Sequence, residues 1–176
     1  MKKEIFIHLA FLIPLLIFVS LAKNWLNLSY WPFWLGGLIG TLLPDLDHLI
    51  YIFFLRPQEL TSQRATYMLQ KREVGNTLNL LSETRYERTK IIFHTANFQM
   101  IFVILSLLVV TSSGSLFGRG LVLAFLLHLI IDQLVDLREM GNLNNWIVGF
   151  PISLAGREKL FVGVNIVILL LFAFIF

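Results

Sequence analysis

The chemistry in this sequence is concentrated in a few histidines and aspartates set in apolar surroundings. The four histidines are His8, His48, His94 and His128, and each falls within or at the end of a strongly apolar stretch. None falls in the polar segments, where solubility would favour them. Two have a carboxylate at helical spacing. Asp45 and His48 stand at i,i+3, and His128 and Asp132 at i,i+4, so each pair shares a helix face. Asp136 continues the second face by one more turn. A pair at that spacing can offer two ligands to one ion, the logic of metal-binding helix motifs. Burying a single charge at the centre of a bilayer costs roughly 2.5–3.5 kcal/mol. A divalent cation removes that difficulty, because it neutralises carboxylates and takes a neutral imidazole as ligand. The candidate metal ligands are therefore His8, Asp45, His48, His94, His128 and Asp132.

The chain has no cysteine, which excludes disulfides and thiolate metal sites. Nitrogen and oxygen donors suit Zn²⁺ best, with Mn²⁺ and Fe²⁺ compatible. Six candidates exceed one closed tetrahedral site and fit two metals, or one metal with supporting partners. A catalytic zinc keeps one position open for water and lowers the pKa of that water toward ~7. Asp47 cannot share a helix face with both Asp45 and His48, since successive residues turn by about 100°. It is the candidate catalytic residue, as a general base; a bridging ligand or a partner of a histidine are the other roles open to it. Asn97 and Asp136 are candidates to support the ligands from behind. Non-catalytic readings stay open at this point: a metal-stabilised membrane scaffold, a hydrogen-bonded packing network, or a metal or proton permease. A permease needs polar residues along its whole path, and the stretches Leu15–Val19 and Ile101–Val110 have almost none.

The elements that must position these residues are apolar helices. Of the 176 residues, 57% are hydrophobic and only 14% charged, and mean hydropathy is +0.77. A soluble domain carries about a quarter charged residues. The expected fold is all-α, a polytopic membrane bundle of about five transmembrane helices forming a single domain over residues 1–176. Helix 1 is expected at 5–22, with Pro14 loosening or kinking it. A cleavable signal peptide, with Ser20-Leu21-Ala22 as its cleavage site, is the alternative, and His8 argues against a disposable segment. Residues 23–31 are a short turn whose Trp25, Tyr30 and Trp31, with Trp34 beyond, suit a membrane interface. Helix 2 is expected at 32–55, with a break just before Asp45 because Pro44 removes a backbone hydrogen bond. Gly36, Gly37 and Gly40 form a face for close helix approach. Residues 56–90 are the only long polar stretch, read as one or two short amphipathic surface helices or a solvated loop. Helix 3 is expected at 91–111 and helix 4 at 116–137. Residues 138–158 form a connection in which Trp146 and Pro151 dip into the interface, and helix 5, at 159–176, is plain apolar packing.

Charge sets the orientation. With five helices and a cytoplasmic N-terminus, Lys2, Lys3, Arg56, Arg64, Lys71, Arg72, Arg85, Arg88, Lys90, Arg138, Arg157 and Lys159 lie inside, and only Lys23 and Arg119 outside. That is a strong positive-inside bias. It accounts for the pI of 9.4 without nucleic acid, and leaves anionic membrane lipids as partners. The same topology places His8, Asp45–His48, His94 and His128–Asp132 at one depth, in the cytoplasmic half of four helices.

These residues also carry a resemblance. Gly40-x-x-Leu43-Pro44-Asp45-x-Asp47-His48, then His94-Thr95, then His128-Leu129-x-x-Asp132, with His8 as an early histidine, resembles the LexA-regulated, membrane-bound metal-dependent hydrolases of bacteria and archaea. The motifs follow that family's order from about Ile5 to Leu137, and the Pro-Asp-x-Asp-His element is the most specific. The family is grouped with zinc phospholipase C and P1-type nucleases. The resemblance implies a helical fold, one to three zinc ions held by His and Asp, phosphoester hydrolysis, and a place in the inner (cell) membrane of a prokaryote. The chain departs from the family pattern ahead of His94. Where the family has His-Arg, this sequence reads Thr89-Lys90-Ile91-Ile92-Phe93, so one ligand of a multinuclear set is missing. Site depth and family together point to a lipid or lipid-linked phosphate as substrate. Arg64, Lys71, Arg72, Arg85, Arg88 and Lys90 are candidates to bind its head.

Overall fold

The computed structural model describes residues 2–88, 91–151 and 156–175. They are helical, with no strand among them. The bundle is organised around α7 (Leu116–Glu139), which is apolar on nearly every side and correspondingly buried. In its membrane-length window 78% of residues are buried, against 33% in α1 (Lys2–Ala22) and 28% in α8 (Glu158–Ile175). Helices α1, α2 (Trp31–Leu42), α6 (Ala96–Ser112) and α8 all pack on α7.

The closest pairing is α2 on α7, and glycine explains it. A Cβ at Gly36 would collide with the carbonyl of Phe117, one at Gly40 with that of Leu121, and one at Gly120 with that of Phe33. The two helices therefore meet backbone to backbone, as the small-residue face predicts. Gly37 faces the side chain of Leu16 instead, bringing α1 in beside them. On α1 the buried residues His8, Leu12, Leu16 and Val19 form one stripe at helical spacing, and Pro14 does not end the helix.

Two expected helices are modified, each where the chain approaches the histidines. Helix 2 breaks at 43–45, as Pro44 predicts. Backbone bonds tighten there to the i→i+3 pattern: Leu46 to Leu43, Asp47 to Pro44 and His48 to Asp45, at 3.1–3.2 Å. A short α3 (Leu46–Ile50) and a π-helical turn (Tyr51–Leu55) follow, the latter closed by an Arg56 N–H bond to the Tyr51 carbonyl. Helix 3 starts late. Residues 91–95 are not helical, and α6 begins at Ala96, capped by the Thr95 side chain accepting from the Phe98 N–H. Among the described residues four helical segments are long and apolar enough to cross a membrane, with α6, at 17 residues, a shorter apolar helix beside them.

The polar segment contains two helices, α4 (Leu60–Gln70) and α5 (Val74–Glu83), packed as a hairpin on the π-helical turn around Ile52, Ala65 and Leu81. Leu143 and Trp146 of the 138–151 connection are buried, which corrects the expectation of an interfacial tryptophan. The exposed surface is apolar where the long helices face out, as at Phe11, Leu38, Ile104 and Leu171. Those faces are the surface of a membrane protein, with lipid in place of water.

Candidate metal centre

Each site residue is placed by local sequence. His8 continues the buried stripe of α1, so packing turns it inward. His128 and Asp132 lie on the most buried stretch of α7, one turn apart. Asp45, Asp47 and His48 follow the Pro44 break. His94 sits in the non-helical segment before α6, which is anchored from both sides: the Phe93 N–H donates to Asp47 Oδ2 at 2.8 Å, and the Ala96 N–H to the Trp146 carbonyl at 2.7 Å.

The residues converge as two groups of donor atoms. His8, His128 and Asp132 form one and Asp47, His48 and His94 the other, the donors in each lying within 4.8 Å of one another. In the first, His8 Nε2 is 3.3 Å from Asp132 Oδ1 and His128 Nε2 is 3.3 Å from Asp132 Oδ2. The rings of His8 and His128 stack at 4.0 Å. Asp45 Oδ1 approaches the same His128 Nε2 at 3.6 Å, and its carboxylate is half exposed at the mouth of the site. In the second, His48 Nδ1 is 3.7 Å from Asp47 Oδ1 and the rings of His48 and His94 stack at 5.2 Å. His94 joins the groups, with Nδ1 2.9 Å from Asp47 Oδ2 and Nε2 2.7 Å from Asp132 Oδ2.

Hydrogen-bond accounting shows what the groups can hold. His128 Nδ1 lies 2.7 Å from the Thr41 carbonyl, which can only accept, so that nitrogen carries the proton. In the neutral ring Nε2 then presents a lone pair. It is buried, makes no hydrogen bond, and faces the oxygens of Asp132 and Asp45. Acceptors pointed at one another require a cation or a second proton between them. A ligating histidine with its other nitrogen bound to a backbone carbonyl is the usual arrangement at a metal. Asp47 Oδ1 and His48 Nδ1 are likewise buried without a hydrogen bond. His94 differs, since both its nitrogens face carboxylates and both contacts are hydrogen bonds only in the imidazolium. Burial opposes that charge, but the bonds to Asp132 and Asp47 outweigh it and push the pKa up to about 10.

Two arginines from the polar segment reach the site. Arg85 bridges Asp132 Oδ1, 3.1 Å from Nη1, and Asp136 Oδ1, 3.0 Å from Nε. Asp136 also accepts from the Trp146 indole N–H at 2.6 Å. Arg88 is buried against α5, donating to the carbonyls of Leu81 and Thr84 and to the Thr84 hydroxyl at 3.0 Å.

All six candidate ligands and Asp47 are thus brought together, with two differences in detail. Asp45 and His48 do not act as one pair: Asp45 turns to His128 and His48 to His94. Asp47 is wholly buried and holds the Phe93 N–H and His94, contacts of a positioning partner. Asp136 stands behind the first group through Arg85, whereas Asn97 is exposed and donates to the Gly149 carbonyl away from the site. Arg64, Lys71 and Arg72 are exposed on the α4–α5 hairpin, and Lys90 lies outside the described residues. Sequence reading missed a second buried polar chain, in which Gln133 donates to Gln99 and Asn165 to Gln133, joining α6, α7 and α8. Its signal was an amide in each of three apolar helices, Gln99, Gln133 and Asn165. Fold and site together define an all-α membrane bundle enclosing buried histidine–aspartate groups able to hold a metal ion. Compared with protein-family models, curated proteins and solved structures, the chain matches none.

Proposed function

We propose that the protein is a membrane-bound, metal-dependent hydrolase of phosphoester bonds in a lipid or lipid-linked substrate. The observation that carries this reading is His128, whose Thr41 bond leaves Nε2 as a buried lone pair among carboxylates. His8, His128 and Asp132 would hold one ion, with Asp45 at its open side; Asp47 and His48 would hold or support a second, joined by His94 once it gives up the proton it shares with Asp47 and Asp132. Ligand atoms of a tetrahedral zinc stand about 3.3 Å apart, given Zn–N bonds near 2.0–2.1 Å. In the first group each histidine Nε2 stands 3.3 Å from one of the two Asp132 oxygens, close to that spacing. When bound, the ion supplies activation of water and neutralisation of charge on the phosphoryl oxygens.

The chain's own groups do the rest. Thr41 fixes the tautomer of His128, and Asp47 fixes the ring of His94. Asp45, at the mouth of the site, is placed to take a proton from an incoming water. Arg85 and Arg88 line the same cleft, where they offset its carboxylates and so leave the charge of a bound ion for a phosphate. Most of the basic residues belong to segments at this end of the helices, which supports a site facing the cytoplasm of a cell membrane.

A second reading is favoured by Arg85, which already balances Asp132 and Asp136. In it the protein is a non-catalytic scaffold held by protons and ion pairs. Elemental analysis of protein purified without a metal-affinity tag, with hydrolysis of a phosphoester panel measured alongside, separates the two. The hydrolase reading expects near-stoichiometric zinc or manganese, and loss of both metal and hydrolysis in His128→Ala. No bound metal after loading with Zn²⁺ or Mn²⁺ overturns it.

A further inference from the structure

We propose that the cleft over the histidine–aspartate groups is a lateral portal. It takes an anionic lipid by its head and lets the hydrocarbon chain emerge past α1 and α3 into the bilayer. The inference rests on the hydrolase reading for the phosphorus chemistry of the head; the portal itself rests on the walls of the cleft.

The cleft has a volume of about 260 Å³. Its polar part is His8, Asp45, His48 and Asp132, with Arg85 and Arg88 beside them. Its apolar part divides in two. Leu78 and Leu81 of α5 cover it from the side of the polar hairpin. Ile5, Leu42, Leu46 and Leu49 line it from α1, α2 and α3. These four are 37–58% exposed, although they belong to the helices long and apolar enough to cross a membrane. The rim therefore opens on hydrocarbon rather than only on water.

Size decides what can sit inside. At about 30 Å³ per water, the cleft holds roughly nine water-sized volumes, below the ~300 Å³ at which sites for whole drug-sized ligands begin. A phosphoryl head and its first methylenes fit, and the rest of a lipid must lie along the rim. Charge agrees once an ion is bound: Asp45 and Asp132 offset Arg85 and Arg88 in the cleft, so the two charges of a divalent ion on the floor are left to match a phosphoryl dianion, while the leucine rim complements the chain.

The absence of native cysteine allows a direct test. Leu46→Cys and Leu42→Cys place a thiol on the rim, and Ile104→Cys places one on α6, outside the cleft and 60% exposed in the parent residue. The rate of modification by a maleimide is measured on Mn²⁺-loaded protein in detergent, with dodecylphosphonate or methylphosphonate added. Neither phosphonate is a phosphoester, so occupancy is read whether or not the protein hydrolyses anything. Dodecylphosphonate is expected to slow modification at both rim positions about tenfold more than at Ile104→Cys, the effect of burying about two methylenes. Methylphosphonate at the same concentration is expected to give little protection. Equal protection by both phosphonates would mean a soluble phosphate site, and equal slowing at rim and control would mean micelle partitioning; either overturns the portal. Failure of the hydrolase reading is seen separately, as protection without cleavage of dodecyl phosphate.

Discussion

The two histidine–aspartate groups are built in opposite ways. His8, His128 and Asp132 stand on unbroken helices, α1 and α7, whose positions are set by side-chain packing and by glycines that leave no room for a methyl. Asp47 and His48 stand on the short α3 after the Pro44 break and His94 on the non-helical segment before Ala96, the two tied by the Phe93 N–H and the His94 ring on the Asp47 carboxylate. A group held by helix packing moves only if the bundle moves. A group held by a few polar contacts can be loosened locally. The first is therefore expected to be rigid and globally coupled, the second soft and separable.

Asp132 tests the coupled side of that contrast and carries the largest expected effect. It touches His8, His94, His128 and Arg85 while almost fully buried. Removing one partner of a buried ion pair costs about 3–5 kcal/mol, because the other charge is left without compensation. Asp132→Ala is expected to lower stability by that amount, measured by unfolding in detergent micelles, and to disturb both groups together. A loss below about 1 kcal/mol, the range of exposed pairs, would show that the shared carboxylate does not tie the groups.

Separability is tested by comparing His8→Ala with His48→Ala in metal-loaded protein. If each group holds its own ion, each variant loses about half of the bound metal. The remaining half should exchange more slowly in His48→Ala, where the packed group survives. Complete loss in either variant would reduce the pair to one site with a supporting layer.

The same contrast explains what could be read from the sequence. His128 and Asp132 were legible because an unbroken helix converts spacing directly into geometry, and the buried stripe of α1 carried His8 in with Leu12 and Leu16. The same rule makes a pair of Asp45 and His48, but their partners stand on other elements, His128 for Asp45 and His94 for His48, which spacing along one helix does not show. Spacing puts Asn97 beside His94 only if helix 3 runs through His94. The helix starts at Ala96, so the residue one turn on points to Gly149 instead. Among the basic residues of the polar stretch, nothing in their spacing marks Arg85 as the one that reaches Asp132 and Asp136, since that depends on how the α4–α5 hairpin docks. The Gln99–Gln133–Asn165 chain was hidden for a related reason: each amide is visible as a polar residue in an apolar helix, but partners on three helices are a property of packing.

The smallest effect expected is at Thr95, and it is the most selective. Its hydroxyl donates to the Ile92 carbonyl at 2.9 Å and accepts from the Phe98 N–H at 3.3 Å, closing the turn that carries Phe93 and His94. Loss of an N-cap of this kind costs about 1 kcal/mol. That loss falls on the segment where Phe93 and His94 hold Asp47, and the hydroxyl's own bonds stay within residues 92–98. Thr95→Ala should therefore speed hydrogen exchange of the Phe93 amide by about fivefold, the equivalent of that energy. Amides in the middle of α7, around Leu126 and Leu129, should keep their protection. If α7 loosened as well, the broken-backbone group would be coupled to the packed one through more than Asp132 and His94. The site would then have to be treated as a single cooperative unit.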